Sequence, residues 1–128
     1  MRGFLLLGAF SVVGCMPVTG GQACTEEARA ALNIRVVQAI GGGPICDAVV
    51  LAREGSFEEQ LIAGAGSDCV YSGVYERAGT YTVEAIKSGF ETGRVEGVVV
   101  GRDECHVIPE SRTLELRAYR GGDGGSGN

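Results

Sequence analysis

Residues 79–90 read GTYTVEAIKSGF, and this stretch decides the fold. Tyr81 and Val83 point one way while their polar neighbours point the other, a period of two that is typical of a strand with one buried face. Gly79 and Gly89 lie at its two ends, where glycine permits a turn. The stretch therefore predicts a half-buried β-strand between two turns.

Alternation or a short apolar run marks six further strands on either side of this one. Glycine-rich turns separate them, and no helical period is long enough to compete. Thr25 is suited to cap a single helical turn, too short to count as an element. Pro109 cannot donate to a ladder and predicts a bend or an edge nearby. The pattern predicts an all-β, seven-stranded β-sandwich, whose other strands cover 32–36, 48–52, 61–63, 70–76, 94–100 and 113–117.

Composition excludes several classes of protein. The 128 residues, of which 45% are hydrophobic, suit one folded domain and not a disordered chain. The formal net charge of −5, with no basic cluster, argues against a nucleic-acid partner. A single His leaves most acid–base and metal mechanisms without their usual residue. We predict no cofactor and no metal site.

The N-terminus has the features of an export signal. Arg2 precedes an apolar run from Phe4 to Val13, which is shorter than the roughly 20 residues needed to cross a bilayer. The run ends in VVGC (12–15), which resembles the lipobox of bacterial lipoproteins. The resemblance implies cleavage before Cys15, a diacylglycerol on its sulfur and an acylated amino terminus. The alternative is an ordinary secretory signal cut elsewhere, for instance after Ala23.

The lipobox resemblance also bears on location. Met16 stands where the inner-membrane retention signal would need Asp, which favours sorting to the outer membrane. We expect a protein of the cell envelope, held to the membrane by its N-terminal lipid. The predicted organisation is a signal peptide at 1–14, a lipidated Cys and spacer at 15–30, the sandwich at 31–118 and a disordered glycine-rich tail at 119–128.

If Cys15 carries the lipid, four cysteines remain, and export places them in an oxidising compartment. None lies in a Cys-x-x-Cys pair, which argues against a thioredoxin-like motif or a zinc site. Four cysteines allow three pairings, and the sequence alone does not choose among them. Of the three, we predict disulfides Cys46–Cys69 and Cys24–Cys105.

Two motifs in the middle of the chain resemble a known family. PICDAVV (44–50) follows a glycine turn, and GTYTV (79–83) is followed by Gly89-Phe90. Their order and spacing resemble the carboxypeptidase regulatory-like domain, a Greek-key, transthyretin-like sandwich. The resemblance covers about residues 31–118 and implies a non-catalytic accessory or interaction module. From the residues themselves, Gly89 ends the strand of Tyr81 and Val83, and we expect Phe90 to plug the open end of the sandwich.

These observations predict a lipid-anchored, non-catalytic interaction or structural module of the envelope. Its partner is an unknown envelope protein or glycan, and its oligomeric state is unknown. Tyr71, Tyr75 and Tyr119 are candidate aromatic contacts. The alternative is a soluble periplasmic or secreted domain that binds carbohydrate or peptide.

An enzyme ranks third among the predictions. A Ser-His-Asp hydrolase would need His106 as base, Ser111 or Ser72 as nucleophile and Asp103 as the residue that orients the ring. The sequence contains no Gly-x-Ser-x-Gly elbow. A single His beside a Cys is more typical of the rim of a domain. We therefore predict no catalytic residue.

Overall fold

The computed structural model describes residues 23–120. The predicted signal peptide, the lipid site Cys15, the spacer up to residue 22 and the tail from residue 121 lie outside the described residues. None of the described residues forms a helix of the length and apolarity that crossing a membrane requires. The all-β prediction is confirmed, because the elements are β1 (Ala30–Gln38), β2 (Val49–Glu54), β3 (Phe57–Ala63), β4 (Tyr71–Tyr75), β5 (Gly79–Ile86), β6 (Gly93–Val100) and β7 (Glu110–Leu116).

The seven strands form one mixed sheet in the order β6-β5-β2-β3-β4-β1-β7. Neighbours are antiparallel except for β1 and β7, which run parallel. β3 joins the two layers, since it pairs with β2 along most of its length and with β4 through Ile62 and Ala63. The two edge strands approach each other near a bridge between Phe90 and Ala118. The sandwich is therefore barrel-like and nearly closed.

The period of two in β5 places its apolar side chains in the core. Tyr81, Val83 and Ala85 are fully buried, as are Leu32 and Ile34 of β1. These side chains from the two layers pack into one cluster between the sheets. Each such side chain contributes about 1.5–3 kcal/mol when it leaves water, so the alternation is what holds the layers together.

Tyr71 lies in this core, so the expectation that it is a surface contact is wrong. Its side chain is 2% exposed. The hydroxyl donates to the carbonyl of Ile45 (2.7 Å) and accepts the N–H of Ala48 (3.0 Å). A tyrosine buries a large ring when its hydroxyl finds partners. Here the partners belong to the loop that leads into β2.

Both predicted disulfides are present. Cys24–Cys105 joins the N-terminal segment to the loop between β6 and β7, with 5.1 Å between the Cα atoms. Cys46–Cys69 joins the loop before β2 to the loop before β4, with 5.2 Å between the Cα atoms. They bridge opposite ends of the barrel.

We name these ends the N-terminal pole and the groove pole. At the N-terminal pole, β1 and β7 begin, β4 and β6 end, and Cys24 meets Cys105. At the groove pole, β1 and β7 end and Cys46 meets Cys69. β1 spans the barrel in nine residues. At a rise of about 3.3 Å per residue the poles lie roughly 26 Å apart.

The turn expected at Gly79 does not need the freedom of glycine, and the nearest atoms to a Cβ there belong to the end of the flexible Glu54 side chain. The φ of Gly79 is not positive, and a Cβ there would lie 2.6 Å from the carboxylate of Glu54. Gly97, by contrast, has a φ of +68° where β6 slips in register against β5 between Tyr81 and Val83. That bulge bends the edge strand and breaks its unpaired edge into two short pieces.

Candidate functional site

The only histidine of the sequence is buried at the N-terminal pole. His106 is 5% exposed, so the expectation that it lies on the rim is wrong. A tight turn aims it inward: Asp103 Oδ1 accepts the N–H groups of Cys105 (2.8 Å) and His106 (2.9 Å). These two hydrogen bonds hold the pKa of the Asp103 carboxyl below its usual range, and the bond from the His106 N–H has the larger effect. Asp103 therefore shapes the backbone, and a different carboxylate meets the imidazole.

That carboxylate belongs to Glu76. His106 Nδ1 lies 2.5 Å from Glu76 Oε2. The same carboxylate accepts the N–H of Val107 at 3.0 Å and the N–H of Arg29 at 3.2 Å. The hydrogen bond from His106, and after it the one from Val107, keeps the pKa of Glu76 below its usual range. One carboxylate thus joins the end of β4, the N-terminal segment and the loop before β7.

The backbone of Glu76 fixes this carboxylate in place. Its φ is +54°, in the left-handed region that side-chain-bearing residues rarely adopt. Its N–H donates to the carbonyl of Arg29 (3.0 Å), so the two residues are linked in both directions. A residue held in such a conformation needs surroundings that determine it fully. The three segments that Glu76 joins are those surroundings.

Thr25 completes a chain of three side chains. Its Oγ1 lies 2.9 Å from His106 Nε2, so it does not cap the helical turn expected there. Because an ionised carboxylate only accepts, we assign the proton to Nδ1, and in the neutral ring Nε2 accepts from the Thr25 hydroxyl. Thr25, His106 and Glu76 follow the order of a nucleophile, a base and the residue that orients it.

The serines expected to join His106 lie elsewhere. Ser72 of β4 and Ser111 of β7 pair with Asn33 of β1 from opposite sides. The Ser72 hydroxyl donates to Asn33 Oδ1 at 2.8 Å. Ser111 is exposed and lines a hollow of about 310 Å³ together with Asn33 and Arg35. Neither serine contributes to the site at the pole.

A second polar cluster lies on the other side of the N-terminal pole. The Arg77 guanidinium lies 3.8 Å from the ring centroid of Phe57 and donates to the Tyr81 hydroxyl (2.8 Å). It also donates to Glu54 at 2.8 Å, while Glu54 accepts the N–H of Thr80 at 2.6 Å. The Thr80 N–H, followed by Arg77, holds the pKa of Glu54 below its usual range. The cluster covers the open end of the core with paired charges.

The groove pole is built differently. Between the turn that follows β1 and the segment that follows β7 lies a groove of about 760 Å³, within the range of small-molecule sites. Tyr119 is 62% exposed and Ile40 is 91% exposed on its walls. Phe90, expected to plug this end, packs against the core and lines the groove. Of the other two tyrosines predicted as contacts, Tyr75 is exposed at the N-terminal pole and Tyr71 is buried.

Backbone hydrogen bonds hold the groove walls. The N–H of Tyr119 donates to the carbonyl of Gly89 (3.0 Å), and the N–H of Glu91 donates to the carbonyl of Arg117 (2.8 Å). The N–H of Ala39 donates to the carbonyl of Leu116 (2.9 Å). The segment after β7 is thereby fixed on both sides. The side chains of this segment therefore project from a backbone that is hydrogen-bonded to its neighbours.

Neither the groove nor the smaller hollow includes Thr25, Glu76 or His106. Within residues 23–120, no group of three or more histidine, cysteine, aspartate or glutamate side chains is arranged to hold a metal ion. The triad-like chain and the groove are therefore two separate candidate sites. No family model matches the chain, and no curated protein matches it either.

Proposed function

We propose that the protein is a lipid-anchored, non-catalytic interaction module of the cell envelope. The observation that carries the proposal is that the N-terminal segment is attached at one pole while the open groove lies at the other. At the N-terminal pole the segment that follows the proposed lipid site is joined to the barrel by Cys24–Cys105 and by the Thr25–His106 and Arg29–Glu76 hydrogen bonds. At the opposite pole lies the open groove.

This arrangement suits a domain that is held at one end and binds at the other. Nine residue steps separate Cys15 from Cys24 (24 − 15), and a chain of that length reaches at most about 32 Å. A lipid on Cys15 would therefore keep the N-terminal pole near the membrane. The groove lies at the far end of β1, roughly 26 Å from that pole.

The non-catalytic part of the proposal rests on how the triad-like side chains are used. Glu76 accepts three hydrogen bonds from two other segments, one from Arg29 of the N-terminal segment and two from His106 and Val107 of the loop before β7, and two of the three donors are backbone N–H groups. Such bonds to a carboxylate are strong and join segments that would otherwise separate. The groove able to hold a ligand lies at the other pole, roughly 26 Å away along β1. We assign the chain of Thr25, His106 and Glu76 to fastening the N-terminal segment.

The anchor is tested by labelling cells with an alkyne analogue of palmitate and then separating membranes from soluble proteins. We expect the wild-type protein to carry the label and to sediment with the membranes, and Cys15→Ser to lose both. The double variant Cys24→Ser, Cys105→Ser is the matched control, because it removes two other cysteines and should keep the label. A wild-type protein without label, or a Cys15→Ser variant that keeps it, contradicts the proposal.

The outer membrane is the proposed location, on the strength of Met16 after the lipid site. Separation of inner from outer membranes by density tests it. The alternative function, a soluble periplasmic or secreted domain that binds carbohydrate or peptide, is favoured by the same groove. The two proposals differ in the anchor and share the binding surface.

A further inference from the structure

The charged side chains of the groove sum to zero. The lining contains two glutamates, Glu91 and Glu115, and two arginines, Arg117 and Arg120, so its net charge is zero. The whole chain has a formal net charge of −5. A strongly charged ligand is selected by a field of opposite sign. This groove offers no such field. Its charge balance suits a neutral ligand.

These four side chains are also available for binding. Within residues 23–120, no side-chain ion pair or hydrogen bond involves the four charged residues of the lining, Glu91, Glu115, Arg117 and Arg120. Charged side chains elsewhere in this part of the chain form ten ion pairs. Carboxylates accept and guanidinium groups donate in planar, two-pronged geometry. Together with the amide of Gln38 they can meet a ligand that has many hydroxyl groups.

The groove also has an apolar platform. Tyr119 presents a mostly exposed ring on a backbone that is fixed to Gly89. An aromatic ring in this position can stack on the C–H face of a pyranose while its hydroxyl stays in water. Ile40, at the turn after β1, exposes nearly its whole side chain beside the same groove. It suits a small apolar substituent on the sugar, such as the methyl of an acetamido group.

An extended peptide fits this surface less well. Peptides that add a strand to a sheet need free backbone N–H and C=O groups along an edge. At this pole the N–H groups of Ala39, Glu91 and Tyr119 already donate to neighbouring carbonyls. Recognition in the groove therefore falls to side chains.

From these observations we propose that the groove binds a neutral oligosaccharide that carries acetamido groups. The proposal deepens the interaction role proposed above and rests on it for the envelope setting. Tyr119 is the stacking platform and Ile40 contacts the acetamido methyl. Gln38, Glu91 and the two arginines bind the hydroxyl groups.

The test is titration calorimetry on the full mature protein in detergent, with tetra-N-acetylchitotetraose as the probe. Maltotetraose, which lacks acetamido groups, and tetragalacturonate, which is anionic, are the comparison ligands. We expect the acetylated sugar to bind more tightly than either. Tyr119→Ala should weaken binding about tenfold or more, a difference of about 1.4 kcal/mol. Tyr75→Ala, which removes the other exposed tyrosine at the opposite pole, should leave the affinity unchanged.

Ile40→Ser sharpens the test, since it should weaken binding of the acetylated sugar more than binding of maltotetraose. Three results would overturn the proposal: no binding of either neutral sugar, tighter binding of tetragalacturonate, or equal losses in the Tyr119 and Tyr75 variants. Tighter binding of unstructured peptides than of sugars would overturn the ligand class. The palmitate experiment is independent, so a missing anchor and a wrong ligand give different results.

Discussion

The N-terminal pole and the lining of the groove treat their charged side chains in opposite ways. At the N-terminal pole the carboxylates of Glu54, Glu76 and Asp103 all accept backbone N–H groups, and Glu76 and Glu54 also bind His106 and Arg77. At the groove pole the four charged side chains of the lining have no such partner among the described residues. Buried polar groups in a folded protein are normally satisfied. The N-terminal pole therefore satisfies its own groups, while the groove lining leaves its four charged side chains for water or a ligand, although Lys87 and Asp47 pair elsewhere at the same pole.

The difference also concerns what each pole does to the chain. The N-terminal pole fastens a segment without secondary structure, residues 23–29, onto the barrel through a disulfide and a hydrogen-bonded network. The groove pole fixes backbone and leaves side chains exposed. If this contrast is correct, variants at the N-terminal pole change stability, and variants on the groove walls change binding.

The largest expected effect comes from removing the disulfides, one at each pole. Cys24–Cys105 closes a loop of 81 residues and Cys46–Cys69 a loop of 23. In the chain-entropy model these loops correspond to about 4.5 and about 3.4 kcal/mol of stability. We expect the double serine variant at Cys24 and Cys105 to lose more stability in urea unfolding than the variant at Cys46 and Cys69.

Serine at both positions of each pair avoids leaving a free thiol, so the two variants differ only in which pole loses its bond. An equal or larger loss from the pair at Cys46 and Cys69 would show that the bond at the groove pole restrains more of the chain. That result would contradict the picture of the N-terminal pole as the main fastening point.

A smaller effect separates two tyrosines of the groove half. Tyr71→Phe leaves the carbonyl of Ile45 and the N–H of Ala48 without their buried partner. An unsatisfied buried group costs about 1–3 kcal/mol. Tyr119→Phe removes a hydroxyl from an exposed side chain and should change stability by less than about 0.5 kcal/mol. Urea unfolding of both variants measures the difference, and equal losses would contradict the assignment of Tyr71 to the core.

Acid should loosen the N-terminal pole. Hydrogen bonds lower the pKa of both Glu76 and Asp103. The largest contribution for Glu76 comes from the His106 side chain, and the largest for Asp103 comes from the backbone N–H of His106. A carboxyl whose pKa is lower in the folded than in the unfolded protein contributes stability above its unfolded pKa and loses it as pH falls through the folded value. For Glu76 the loss begins below about pH 4.3.

The measurement is urea unfolding at several pH values from neutral to strongly acidic. Glu76→Gln should show a shallower fall of the unfolding free energy below about pH 4.3 than the wild type. The fall should not vanish, because Glu54 and Asp103 have lowered pKa values as well. Tyr119→Ala, at the other pole, should keep the wild-type pH profile. A Glu76→Gln profile parallel to the wild type would contradict the role given to this carboxylate.

Much of the fold follows from local pattern. The period of two in 79–86 predicts the buried face of β5, because the side-chain direction alternates along any strand. All seven predicted strands overlap the observed ones. The disulfide pairs were also predicted correctly, although spacing alone allows three pairings. The strand order and the parallel pairing of β1 with β7 depend on contacts between distant residues and were not predicted.

The site at the N-terminal pole was harder to predict. The sequence names His106 as the base that a hydrolase would need, which stays a prediction, but it does not indicate the partners of the imidazole. Glu76 lies 30 residues away and contacts it through a left-handed backbone conformation that a glutamate rarely adopts. Thr25 lies 81 residues away. One signal was available: Thr25 follows Cys24 and His106 follows Cys105, so the predicted disulfide already placed their neighbours together.

The smallest expected effect concerns catalysis, where the N-terminal pole most resembles an enzyme. Thr25, His106 and Glu76 have the connectivity of a hydrolytic triad. If they serve to fasten the N-terminal segment, then Thr25→Ala removes the hydrogen bond to His106 and the longer contact with Glu27 (3.4 Å), costs about 0.5–1.5 kcal/mol of stability and changes no reaction rate. We expect wild type and variant to hydrolyse p-nitrophenyl acetate at the rate seen in buffer.

Thr25→Ala is the decisive variant because its side chain is exposed, so the barrel should fold without it. Thr25→Ser, which keeps the hydroxyl, is the matched control. Hydrolysis by the wild type that Thr25→Ala abolishes and Thr25→Ser retains would show that the hydroxyl is a nucleophile, and the contrast between the poles would then be between two active surfaces. If all three proteins match buffer while Thr25→Ala alone melts at a lower temperature, the hydroxyl acts through His106 on the attachment of residues 23–29.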